Sequence, residues 1–191
     1  MRKWLPLFAL LLLPACICVD DIGDYWKKGI MDKALGGTWK QEKQTDPEIW
    51  AISVHAGEYR IDALNDKTKN AKGYKPYLAR TLKIGSYTFF MTDPASMDAR
   101  PDAKASNLWR YTAAKDKLTL YALRGAPMED FLKKAYREKK NKNIEVQGQG
   151  GKPDQAYVKI WKLDEKVFRL LAQVPDNETY WAPGKEYKRV R

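Results

Sequence analysis

Ser53 and His55 lie two residues apart in an alternating run, so an extended strand would place both on one face. A serine beside an imidazole is the pair from which a nucleophile and its base are made. No acid is matched to them, however, and His55 falls at a hairpin turn, where an imidazole is normally solvated. His55 is the only histidine, and the only cysteines, Cys16 and Cys18, stand near the N-terminus. This excludes a multi-histidine zinc site, a thiolate metal site and a Cys–His pair within the body of the chain. Glu58 and Asp62 fall on the polar side of one strand, about 13 Å apart along it, which is too far for the paired carboxylates of a glycosidase. There is no Gly-rich phosphate loop and no nucleophile elbow. The expectation is a protein that is not an enzyme and that needs no metal or cofactor.

The arginines offer binding chemistry instead. Arg60, Arg80, Arg110 and Arg169 all sit in strand-like runs, with Arg80 between Leu78 and Leu82 and Arg169 between Val167 and Leu171. Two readings stand. Either these side chains point to solvent and their neighbours form the core face, or one or more turn into a barrel and pair with Asp62 or with the anionic head of a ligand. A barrel interior holds one small ligand when it is lined by apolar groups and a few placed polar ones. Arg80, Arg169 and Asp62 are therefore the ligand-binding candidates.

The elements that would position them are strands. Trp50, Ile52 and Val54 alternate with Ala51, Ser53 and His55, and after the turn at Ala56-Gly57 the alternation resumes with Tyr59, Ile61 and Ala63. Further hairpins are expected for Tyr77–Ile84 with Tyr87–Thr92, Leu108–Ala113 with Leu118–Leu123, and Val158–Leu163 with Val167–Val174. With a strand from Trp39 and a closing strand at the C-terminus, this predicts an antiparallel up-and-down barrel of about eight to ten strands, closed to remove exposed edges. One amphipathic helix interrupts the meander: Pro127 suits its first turn, and Met128, Phe131, Leu132, Ala135 and Tyr136 form an apolar stripe. Residues 24–35 predict a short helix or turn that plugs one barrel end. The connections 65–76, 94–105 and 141–155 are polar and carry much of the positive charge.

The N-terminus reads as an address. Arg2 and Lys3 precede a short apolar run from Trp4 to Leu13, too short to span a bilayer about 30 Å thick. Leu13-Pro14-Ala15-Cys16 resembles the lipobox of bacterial lipoproteins, although Pro14 replaces the usual small residue. The resemblance implies cleavage before Cys16, a lipid such as palmitate on its sulfur, and an outer-membrane anchor facing the periplasm. Ordinary cleavage, giving a secreted or periplasmic soluble protein, is the alternative. The expected organisation is a signal peptide over 1–15, a lipidated tether over 16–23 and one barrel domain over 24–191.

Gly37-Thr38-Trp39, after a short helical lead-in, resembles the Gly-x-Trp start of lipocalins and related calycin barrels. The resemblance implies that Trp39 closes one barrel end and that an arginine of the last strand, Arg189 or Arg191, packs across it. The family's Thr-Asp-Tyr turn is not found at its usual place. Two functions follow as expectations. The first is an envelope protein binding a small lipophilic or amphipathic anion. The second is a filled barrel acting as a non-catalytic structural or interaction module on the membrane surface or on a protein partner. With 35 Lys and Arg against 24 Asp and Glu, the net charge of +11 favours anionic partners such as lipid headgroups. No nucleic-acid motif accompanies that charge.

Overall fold

The computed structural model describes residues 17–64, 76–93, 106–136, 143–149 and 152–190. Eight antiparallel strands close into a barrel: β2 (Gly37–Gln41), β3 (Ile49–His55), β4 (Glu58–Leu64), β5 (Tyr77–Ile84), β6 (Tyr87–Thr92), β7 (Ser106–Ala113), β8 (Lys117–Leu123) and β11 (Trp181–Val190). Seven of them follow one another as a meander. The last, β11, seals the barrel by pairing with β8 on one side and β2 on the other. This is the expected mainly β architecture, compatible with a lipocalin-like barrel.

Three more strands extend the sheet outside the barrel: β1 (Ile17–Val19), β9 (Ile144–Gln149) and β10 (Lys152–Ile160). The branch occurs on β7. Its first residues pair with β1, from Ser106↔Val19 to Leu108↔Ile17, while β8 takes up pairing from Arg110 onward. β1 in turn runs parallel to β10. Helix α1 (Gly125–Tyr136) packs on β9 and β10, and helix α2 (Glu165–Ala172) packs beside β5. Both helices and the β9–β10 pair lie between β8 and β11 in the chain, as an insertion before the closing strand.

Strand alternation produces two cores. All eight barrel strands contribute to one cluster, which includes Trp39, Trp50, Tyr59, Phe90, Trp109, Tyr111 and Tyr187, so this cluster is the barrel interior. The alternate residues of β5 and β6, among them Leu82, Ile84, Tyr87, Phe89 and Met91, join a second cluster with β1, β10 and both helices. The β5–β7 wall is therefore buried on both faces. That accounts for the near-continuous apolar run Tyr87–Thr92, where a half-exposed strand would alternate.

Other expectations are corrected. The segment from Val167 to Val174 is not the second strand of a hairpin; most of it lies in α2. Val167, Leu170, Leu171 and Val174, all buried, stand at i, i+3, i+4 and i+7, which is a helical period. Asp164 starts this helix by accepting the Val167 amide at 2.9 Å. Residues 17–23 do not form a tether: Ile17, Val19 and Ile22 are buried and β1 is inside the sheet. The short helix or turn expected over residues 24–35 is two single 3-10 turns, Gly23–Tyr25 and Lys33–Leu35. The second turn does plug the barrel, with Leu35 fully buried in the interior cluster. In α1, Met128 and Leu132 are buried and Phe131 is half-buried, but Ala135 of the expected stripe is exposed.

Candidate functional site at the plugged end of the barrel

The plugged end is built around an indole and a guanidinium. Trp39 is fully buried, and its Nε1–H donates to the Leu35 carbonyl at 2.8 Å, tying β2 to the plug. Arg189 faces it across the β2–β11 pair with its guanidinium 4.2 Å from the ring centroid. The same guanidinium donates to the carbonyls of Gly36 (2.6 Å), Ala34 (2.7 Å) and Lys115 (2.8 Å). One cation thus stacks on the tryptophan and satisfies carbonyls from the plug and from the β7–β8 turn. Gly37 makes room for it: a Cβ there would lie 2.7 Å from Arg189 Nη1, and its φ of +123° is unsuited to other residues. Arg191 and Cys16 lie outside the described residues.

Arg80, Asp62 and Arg169 are not brought together. Arg80 alternates with the inward-facing Ala79 and Thr81 and lies on the outer face of β5. There its guanidinium packs 5.0 Å from the Trp26 ring and pairs with Glu58 at 3.0 Å. Asp62, outward on β4, pairs with Arg60 at 3.3 Å. Arg169 is on α2, exposed, and pairs with Glu165 one helical turn away. Ser53 and His55 are exposed, and the acid opposite His55 on β4, Glu58, is paired with Arg80.

The arginine that is buried is Arg110, whose side chain is 8% exposed. It projects from the outer face of β7 into a box of three rings, 4.5 Å from Tyr87, 4.6 Å from Tyr121 and 4.8 Å from Trp181. Asp176, on the loop after α2, closes the box with an ion pair at 2.5 Å. Tyr87 also donates its hydroxyl to the Val174 carbonyl, fastening that loop to the barrel. Beside the box opens a cleft of about 280 Å³, lined by Arg110, Asp176, Thr88, Tyr111 and Asp32 among others. Asp32 caps the plug turn by accepting the Ala34 amide at 2.9 Å, and its other oxygen accepts the Tyr111 hydroxyl at 2.9 Å. Burial and the Asp32 charge both push the Tyr111 pKa up, so this phenol remains a donor. Sequence reasoning listed Arg110 among the strand arginines but gave it no role. Its partners come from β6, β8, β11 and the loop after α2, and no local spacing announces them.

The opposite end carries a second polar group. Glu48 accepts from Lys185 and from the Tyr187 hydroxyl, both at 2.8 Å. Burial, then the Glu48 charge, raises the Tyr187 pKa. Between the two ends, Trp50 packs against Phe90, Trp109 and Tyr187 with centroids 5.1–6.3 Å apart, and Phe90 lies 4.6 Å from Tyr111. The Nε1–H groups of Trp50 and Trp109 are buried without an acceptor among the described residues. The described residues contain no cluster of His, Cys, Asp and Glu able to hold a metal. The chain matches no protein-family model, no curated protein and no solved structure.

Proposed function

We propose that this chain is an exported cell-envelope protein, lipid-anchored at Cys16, whose filled barrel serves as a non-catalytic interaction module. The observation that carries this reading is the interior itself. Six large aromatic side chains from the barrel strands, Trp50, Tyr59, Phe90, Trp109, Tyr111 and Tyr187, meet there ring to ring. An eight-stranded barrel has an interior just wide enough for side chains to fill it. The leader-like start and the lipobox resemblance support the envelope address, and the net charge of +11 supports attraction to anionic surfaces. A lipid on Cys16 would hold the domain close to the bilayer, because β1 begins at the next residue.

Native mass spectrometry of the full chain purified from cells tests the filled interior: the expected mass is that of the lipidated protein alone. A lipophile retained in stoichiometric amount, and lost in Trp50→Ala, would overturn it. Labelled palmitate should enter the wild type and not Cys16→Ser. The second reading, a carrier of a lipophilic anion, is favoured by the unpaired indole donors of Trp50 and Trp109. A ligand carboxylate accepting both would offset part of their desolvation, about 1–3 kcal/mol for each donor.

A further inference from the structure

We infer that the cleft beside Arg110 binds a neutral, hydroxyl-rich ligand, of the chemistry of one sugar unit of a glycan. The cleft shares Tyr111 with the interior cluster, but Arg110 reaches it from the outer face of β7, so the inference does not depend on whether the interior is filled or takes a lipid.

Arg110 lines the cleft. Its side chain is more than nine-tenths buried, yet among the described residues it makes only one hydrogen bond, to Asp176. A guanidinium has several N–H donors in a rigid fork, and the remaining ones belong to a side chain that lines the cleft. Three aromatic rings surround the cation, so it cannot swing away to find water elsewhere. An acceptor atom on a ligand would complete its set.

The other groups decide the ligand's charge. Asp32 and Asp176 bring two carboxylates against one guanidinium, so the lining is net negative within a strongly basic protein. A phosphate or carboxylate would gain from Arg110 but meet both acids. An ammonium would gain from the acids but meet the arginine at the cleft's side. A neutral molecule carrying hydroxyls meets neither conflict: its O–H groups donate to Asp32 and Asp176, and its oxygens accept from Arg110. Thr88 and Thr112 add hydroxyls that donate or accept as needed. Each Asp32 oxygen already accepts one bond from the fold, which fixes the carboxylate's orientation before any ligand arrives. A volume of about 280 Å³ is at the small end for a ligand pocket, suited to one ring and not to an acyl chain.

The test uses the full chain in a zwitterionic detergent without sugar headgroups. Maltotriose and N,N′-diacetylchitobiose are titrated by saturation-transfer NMR, with spermidine and inorganic phosphate as charged comparisons. At least one sugar should bind with a millimolar dissociation constant. Thr88→Val, which keeps the side chain's shape, should weaken it at least about tenfold, and Asp176→Asn likewise; near-ultraviolet circular dichroism checks that each variant is folded. Arg60→Gln, on β4 and not in the lining of the cleft, should leave it unchanged. The inference is overturned if neither sugar binds, if spermidine or phosphate binds more tightly, or if Thr88→Val leaves the sugar affinity as it was.

Discussion

At the scale of single residues, the barrel end is held by one arginine. Arg189 stacks on Trp39 and donates to three carbonyls, two of them in the plug. Arg189→Met keeps the stem and removes the charged fork, and it should cost about 2–4 kcal/mol, with most of the loss from the orphaned carbonyls. Trp39→Ala should cost about 3–5 kcal/mol, since it removes a fully buried indole as well. Urea unfolding of both variants checks these values, and an Arg189→Met midpoint equal to wild type would contradict the closure. The buried phenols set a second prediction. Burial raises the Tyr59 pKa to about 12, against an opposing contribution from the Asp32 backbone amide, which donates to the phenol oxygen. The protonated phenol is therefore favoured by the fold. Its contribution to stability is complete below pH 10 and is lost as pH rises through 10 towards about 12. Phenolate absorbance and circular dichroism should change together in that window; Tyr59 ionising near 10 with the fold intact would contradict it.

At the scale of elements, α2 shows how a helix brings a distant acid to the site. Val167, Leu170 and Leu171 bury one face on the barrel's outer core, and its end packs against the β5–β6 turn. There a Cβ on Gly85 would lie 3.0–3.1 Å from Ala172. The loop that follows then delivers Asp176 to Arg110. Asp164→Ala should destabilise this arrangement by about 0.5–2 kcal/mol. Burial alone would raise the Asp164 pKa, but hydrogen bonds from Val167, Asn143 and Lys166 outweigh it and lower the value below 3.8. The cap's contribution is thus present above pH 3.8 and is lost as pH falls through the lowered pKa. In Asp164→Ala, the wild-type loss of stability on acidification below that value should shrink. The helix was legible in the spacing of its four apolar residues, but the run of Val167, Phe168, Leu170 and Leu171 also suits a buried strand when only density is read. The cap at Asp164 is the signal that separates the two.

At the scale of the molecule, the barrel has one wall buried twice. β1 threads between β7 and β10, and Ile17 and Val19 are each 1% exposed. Replacing both by Asp should unfold the outer layer, because each buries an unpaired charge. Native-state hydrogen exchange should then show lost protection in β10 first, with the β2–β4 wall retained; uniform protection would mean that the outer layer does not depend on β1. The same threading leaves little slack between Cys16 and the domain, so a lipid there would set the distance to the membrane as well as the attachment.

The sequence by itself determined the antiparallel strands β2 to β8, the plug and the amphipathic α1, because alternation, tight turns and helical spacing are local properties of the chain. Through the resemblance of the two chain ends it also pointed to Trp39 and a terminal arginine, Arg189 or Arg191, as neighbours, and the fold selects Arg189. Only the tertiary structure decided which face of each strand turned inward, and so placed Arg80 and Asp62 outside the barrel and Arg169 on a helix. It alone turned Ile17–Val19 into a buried strand, since β1 has too few residues to specify its pairing without β7 and β10. It alone gathered Asp32, Arg110 and Asp176, which are far apart in the chain and come from the plug, a strand and a loop. Their meeting depends on burial and closure over the whole barrel, which no short window of residues encodes.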